Sequence, residues 1–267
     1  MSHHIVAVEG LTYDYPDGTP ALRGVTFSIR HGESVALVGA NGAGKSTLLL
    51  HLNGILPPTS GTVRIGDFPI TKGTLAEVRR TVGMVFQNPD DQLFMPTVEE
   101  DVAFGPLNLG LPPEEVGQRV RLALATVGAG HLLQRPPYRL SGGEKRAVAI
   151  ATVLAMSPSI LVMDEPSSNL DPRARRLLIE LLSTFSHTRI IATHDLDLVL
   201  ELCPRTIVMS EGGVAADGPT EAIFGDDELL ARCHLERPLS RCTVKPAVAS
   251  PEPARDHHHD GEQDHSH

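Results

Sequence analysis

The sequence predicts an α/β fold in which a parallel core sheet carries an antiparallel β subdomain and a helical insertion. Three observations lead there. The opening HHIVAVEGLTYDYPDGTPALRGVTFSIRHGESVALVG alternates short apolar and β-branched runs with the turn signals PDGTP and HGE. A glycine-rich loop, GANGAGKST, then divides an apolar run from a helix-like one. From about Asn88 to Met156 the apolar period becomes helical, interrupted at LGLPPEEVG and QRPPYRLSGG, before strand-like runs return at 160–163 and 189–192.

Taken in order, the first alternating runs read as antiparallel strands that lead to a buried strand at Ser34–Val38. The glycine loop follows that strand directly and opens the helix-like STLLLHLNGIL. The helical insertion is expected over about 88–156, and ILVMDEP then reads as a second core strand with acids at its end. This organisation assigns residues 1–235 to one domain. Beyond it, 236–267 loses periodicity and ends SPEPARDHHHDGEQDHSH, a stretch too poor in apolar residues to form a core, so a disordered acidic, His-rich tail is expected.

At 267 residues and 41% hydrophobic content the chain supports one large core with appendages. Its net charge of −10 argues against nucleic acid as a partner, because nonspecific binding relies on Lys and Arg against phosphates. Cys203, Cys233 and Cys242 form no C-x-x-C pair, and the start carries no cleavable signal pattern, which fits reduced thiols in a cytosolic setting. A zinc site at Cys233, His234 and Cys242 lacks an evident fourth ligand and is set aside. The apolar runs are too short to span a bilayer, so any membrane role is expected to come through partners.

Gly39-Ala40-Asn41-Gly42-Ala43-Gly44-Lys45-Ser46 fits the P-loop pattern G-x-x-x-x-G-K-[ST], and its place between strand and helix suits the chemistry. The backbone of such a loop, running on to Thr47, would cradle the phosphates of a nucleotide, which is all a P-loop alone specifies. Lys45 would reach the β- and γ-phosphates, and the Ser46 hydroxyl would ligate Mg²⁺. Asp164 and Glu165 stand at the polar C-terminal end of ILVMDEP, where an open α/β sheet holds its ligands. Asp164 would support the Mg²⁺, and Glu165 would polarise an attacking water. A second anion site is readable at LSGGEKR: Ser141 at a cap position, followed by Gly142 and Gly143, leaves backbone N–H groups bare at the positive end of a helix.

Tyr15 in YDYPDG, the P-loop, Gln87 in VFQNPDDQLF, LSGGE, ILVMDEP, SSNLD at 167–171 and His194 in ATHD together resemble the ATP-binding-cassette (ABC) ATPases in order and spacing, over about residues 5–225. The resemblance implies hydrolysis of ATP to ADP and phosphate by two cassettes paired head to tail. It places the signature Ser141, Gly142, Gly143 and Glu144 of one cassette on the ATP held by the other. It also implies that Tyr15, with Tyr13 as its rival, stacks on adenine, and that Gln87 contacts Mg²⁺ and the water and faces a transmembrane partner. In the same reading His194 bonds the γ-phosphate and helps hold Glu165, and Asp171 crosses between the sites. Two positions depart from the pattern: Glu144 stands where many members carry Gln, and Asn169 replaces a commoner small residue.

QNPDDQLF and ATHDLDLVLELC are similar to the ATPase subunits of energy-coupling factor (ECF) importers, particularly the cobalt/nickel branch. That likeness implies a transmembrane coupling subunit, a substrate-binding membrane protein and a second ATPase subunit as partners, with a homodimer favoured because every motif is present in this chain. The expected place is peripheral, on the cytoplasmic face of the cell membrane. His257, His258, His259, His265 and His267, set among Asp256, Asp260 and Asp264, would suit Ni²⁺, Co²⁺ or Zn²⁺, against the alternatives of a solvated tail or vector residues. Two further readings stay open at this point: an importer for a vitamin or other nutrient, and a soluble clamp that does not transport.

Overall fold

The computed structural model describes residues 4–241; the tail histidines and Cys242 lie outside them. Strands β1 (His4–Asp14) and β2 (Pro20–Arg30) pair antiparallel, and β3 (Ser34–Val38) follows as a fully buried strand at the predicted position. After the glycine loop come α1 (Lys45–Leu52), β4 (Ser60–Ile65), β5 (Phe68–Pro69), α2 (Leu75–Thr81) and β6 (Val82–Val85). The predicted helical region contains α3 (Val98–Asn108), α4 (Pro113–Thr126) and α5 (Gly142–Leu154). The chain then alternates through β7 (Ile160–Asp164), α6 (Pro172–Thr184), β8 (Thr188–Ala192), α7 (Leu196–Leu202) and β9 (Arg205–Ser210). It finishes with β10 (Gly213–Pro219), α8 (Thr220–Ile223) and α9 (Asp227–Arg232).

Two sheets result. The antiparallel one runs β2-β1-β4-β5, and the larger runs β10-β9-β3-β8-β7-β6. All pairings in the larger sheet are parallel except β10 with β9. The central residues of its inner strands are apolar, as a sheet covered on both faces requires, and their polar residues stand at the strand ends. Helix α1 lies between the sheets: Leu48, Leu49 and Leu52 are buried with Val35 and Leu37 of β3 and with Val6 and Val8 of β1. The opposite face of the parallel sheet is covered by α6 and α7 through Leu178, Ile179, Leu198 and Val199. Helices α3, α4 and α5 share a separate core around Val98, Val102, Val120, Leu124 and Val148. This second core leaves the insertion free to present helix ends of its own, which matters for the site.

Candidate active site

Strand β3 feeds directly into the P-loop, and the loop lies tight against its neighbours. Gly44 caps α1 in the left-handed region at φ 98°, and a Cβ there would stand 2.8 Å from the Ala21 carbonyl oxygen. A Cβ on Gly39 would come within 2.4 Å of the Met209 carbonyl oxygen. Lys45 is buried, and its Nζ donates to the carbonyls of Gly39 at 2.7 Å and Ala40 at 3.2 Å. Burial lowers its pKa, while the carboxylates of Glu165 and Asp164 oppose that shift.

The register of β7 on β8 pairs Asp164 with Ala192, so the residues that follow each strand meet side by side. Glu165 donates its N–H to the Ala192 carbonyl at 2.8 Å and holds a left-handed φ of 46° that turns its side chain out of the strand direction. Its Oε2 accepts from the Thr193 hydroxyl at 3.1 Å and the His194 N–H at 3.3 Å, and His194 Nδ1 lies 2.8 Å away. Glu165 is 9% exposed at its side chain and His194 68% exposed, so the pair joins the interior to the surface. Burial raises the Asp164 carboxyl above the ordinary range, as does the neighbouring Glu165, against a hydrogen bond from Ser46 and the charges of Lys45 and Arg146. Its Oδ1 is buried without a partner. An orphaned carboxylate oxygen beside a serine hydroxyl is a hard-oxygen donor set of the kind Mg²⁺ takes.

Tyr15 follows β1, and its hydroxyl shares a hydrogen bond of 2.8 Å with Thr47 Oγ1. Tyr13 is buried edge-on against His51, which leaves Tyr15 as the tyrosine of the pair with an accessible ring. Asn41 and Gly42 are exposed on the loop, and Ala43 is buried beneath it. Gln87 is exposed on the segment after β6.

Ser141 and its neighbours stand elsewhere. Ser141 caps α5, accepting from the Glu144 N–H at 3.3 Å, while its own N–H and hydroxyl each donate to Glu144 Oε2 at 2.8 Å. Those bonds hold the Glu144 carboxyl below its usual range. Asp171 caps α6 in the same manner, accepting from Arg173 and Ala174 N–H groups at 2.9 Å. Both caps open on one cavity of about 950 Å³, and no residue of the P-loop lines it. Asn169, one of the two departures from the family pattern, adopts φ 61°, a conformation Asn tolerates better than most residues with a Cβ. The structure thus gathers Lys45, Ser46, Asp164, Glu165 and His194 at one place, and Ser141, Gly143, Glu144 and Asp171 at another.

Thr193 was not singled out in the sequence, although it stands inside ATHD, the motif quoted for His194. Also missed were Asp195, held by a two-pronged bond from Arg175 at 2.7 and 2.9 Å, and Arg146, which is buried on α5. Arg146 carried no local signal, because it depends on distant partners, whereas Asp195 also caps α7 by accepting from the Leu198 N–H at 2.9 Å, a local pattern within THDLDL.

Residues 22–168 match the family described as ABC transporter. The chain belongs to that family. As a member it is an ATP-binding, transport-coupled ATPase with the cassette fold. It is 73% identical over 240 residues to GSU1281 of Geobacter sulfurreducens, designated an ABC transporter ATP-binding protein, covering 90% of this chain and 96% of that one. It is 50% identical to the energy-coupling factor transporter ATP-binding protein EcfA of Methanocaldococcus jannaschii, over 88% of this chain and 86% of that one. Among solved structures, cbiO1 of Clostridium perfringens, described as part of the ABC transporter complex cbiONQ, superposes with a TM-score of 0.76 at 42% identity, covering 86% and 94% of the two chains. The dimeric ADP- and phosphate-bound cassette MJ0796 superposes with a TM-score of 0.73 at 29% identity, over 80% of this chain and 98% of that one.

Proposed function

We propose that this cassette is the ATPase subunit of an ECF importer for cobalt or nickel ions, working as a pair with a second copy of itself. The observation that carries the pairing is the division of its anion-facing groups between two separate places. Gly142 and Gly143 are not demanded by the chain's own packing: a Cβ on Gly142 would meet nothing within 4 Å, and one on Gly143 only the Ala174 Cβ at an ordinary 3.5 Å. Glycine in a helix costs up to about 1 kcal/mol relative to Ala, so a bare first turn suits a ligand brought from outside. In this reading that ligand is the triphosphate held by the partner's P-loop. The dimeric MJ0796 cassette supports it.

In each composite site, Lys45 and the N–H groups of 39–47 hold the phosphates, and Tyr15 offers its ring to the base. Ser46, Gln87 and Asp164 would hold Mg²⁺, which neutralises phosphate charge when bound. Glu165 orients and polarises the water, and its carboxylate is aimed by Thr193 and His194. His194 also reaches the γ-phosphate from its exposed position. Asp171 links the two sites across the pair.

The membrane coupling subunit is proposed to dock in a groove of about 430 Å³ beside the Gln87 segment. Phe94 and Phe104 pack there edge to face at 5.0 Å and remain exposed, with Arg79 and Arg80 on the rim. Among the described residues no helix is long and apolar enough to cross a membrane, which agrees with a peripheral place. The names EcfA and cbiO1 of the relatives favour the ECF assignment, and the QNPDDQLF and ATHDLDLVLELC segments favour its metal branch. The test is purification of the intact membrane complex and ATP-dependent uptake of radioactive cobalt or nickel into vesicles. Uptake abolished by Glu165→Gln is expected. Uptake of a vitamin in place of metal would overturn the substrate, and a chain that copurifies with no membrane subunit would overturn the importer.

A further inference from the structure

The segment that carries Gln87 leaves β6 and is gripped by α5. Arg146 Nη1 donates to the Phe86 carbonyl at 2.7 Å and Nη2 to the Gln87 carbonyl at 2.6 Å. Gln92 closes the other side: its Oε1 accepts from the Phe86 N–H at 3.2 Å, and its Nε2 donates to the Ala149 carbonyl at 2.8 Å and Thr152 Oγ1 at 2.7 Å. Lys145 adds an ion pair to Asp90 at 2.6 Å. The α5 positions used are 145, 146, 149 and 152, which fall on one face of a helix. Helix α5 thus satisfies the Phe86 and Gln87 carbonyls, while the rest of the segment is held by its own turn bonds and, at Phe94 and Met95, by the Asp101 carboxylate of α3.

The grip is costly to build. Arg146 is 4% exposed, its Nε has no partner, and burying a guanidinium is unfavourable unless its bonds are strong. A solvent-facing loop needs no such anchor, since water would satisfy the same two carbonyls. About 7.5 Å from Arg146 along the helix axis, at the N-terminus of the same helix, stands Ser141 with the bare glycine turn.

We infer that Arg146 and Gln92 are positioning residues that make the Gln87 segment move as one body with α5, so that engagement of the α5 N-terminus by a partner's nucleotide relocates Gln87 and the docking groove together. The inference rests on the paired reading above. A loop left to solvent would separate these events; here α5, which also packs Ile150 and Val153 against the sheet, holds both.

The test uses the full-length chain with Glu165→Gln, which holds ATP without turning it over, and follows pairing by light scattering and amide hydrogen exchange by mass spectrometry. With ATP and Mg²⁺ the background protein is expected to pair, and amides of 86–95 and of 142–146 are expected to slow together, by about tenfold. Arg146→Lys keeps the charge but loses the planar fork, and Gln92→Leu keeps the bulk but loses all three bonds. Each added variant is expected to pair and to keep the slowing at 142–146, with that at 86–95 reduced below about twofold. Gln92→Glu retains the acceptor for Phe86 and should give an intermediate response, which separates lost linkage from a misfolded loop. Paired variants whose 86–95 segment still slows as in the background would overturn the inference alone. A background protein that stays monomeric in ATP would overturn the paired reading and the inference with it.

Discussion

Around Lys45 the phosphate-facing groups are closed in by the chain itself, whereas around Ser141 they stand open on a cavity with nothing of the P-loop in its wall. The first region has Gly39 and Gly44 pressed against the Met209 and Ala21 carbonyls, Gly42 held at a left-handed φ of 80°, and its acids buried at a strand end; the second has glycines that touch almost nothing. Where the chain supplies the walls, packing fixes identity: Gly39 and Gly44 by neighbouring carbonyls, Lys45 and Asp164 by burial. The open region has residues whose identities the single chain does not explain. In the paired reading proposed above that contrast is what a half-site would show, and it is open to direct attack.

The largest expected effect falls on the closed region. Glu165→Gln should lower phosphate release by on the order of a hundredfold or more while ATP binding persists, because water activation is lost and the phosphate contacts are not. Wild-type turnover in this variant, with contaminating ATPases excluded, would remove Glu165 from its role. Next comes a mixture of Lys45→Ala and Ser141→Arg chains, each expected to be inactive alone. Exchange should restore roughly a quarter of wild-type turnover, since mixed pairs hold one intact composite site. No recovery after confirmed exchange would break the comparison at its root.

Glycine substitutions sharpen the contrast by sign. Gly39→Ala must push against the Met209 carbonyl and should lose about 1–3 kcal/mol in denaturant unfolding. Gly142→Ala should gain up to about 1 kcal/mol in the same measurement while weakening ATP-driven pairing. Loss of stability at both positions would erase the distinction between closed and open. The smallest effect is expected at Glu144→Gln, which removes a negative charge from Ser141 but keeps an acceptor for its N–H; pairing in ATP should tighten by less than about tenfold. Its pH course follows from the lowered Glu144 value. The cap contribution is fully present above the ordinary glutamate range and is lost as pH falls through the lower folded value, and Glu144→Gln should abolish that acid-side dependence in thermal melts.

The closed region was the more legible in the sequence, and for the same reason. Strand β3, the P-loop and the Asp164-Glu165 pair are contiguous stretches whose patterning declares a buried strand meeting a turn. The bounds of β7 and β8 each moved by one residue, because strand ends are set by pairing with neighbours. Strand β9 was not marked out although RTIVMS is β-branched and lies beside β3; with Pro204 before it and no motif attached, only the parallel partner distinguishes it from other short apolar runs. Arg146 was invisible as an anchor, since a charged residue inside LSGGEKR reads as solvent-facing until the 86–92 segment is folded against it. The cap formed by Glu144 was within reach, because S-x-x-E ahead of an apolar run announces a capping box.

The tether between Tyr15 and Thr47 has a consequence for selectivity. With its hydroxyl engaged at the first turn of α1, the tyrosine has only a ring face left to offer a nucleobase. A ring face recognises planarity and polarisability, whereas telling adenine from guanine requires donors and acceptors along a base edge. In the stacking role proposed for Tyr15, such a platform would discriminate bases poorly, so GTP is expected to support turnover within about an order of magnitude of ATP, measured as kcat/KM for the two nucleotides.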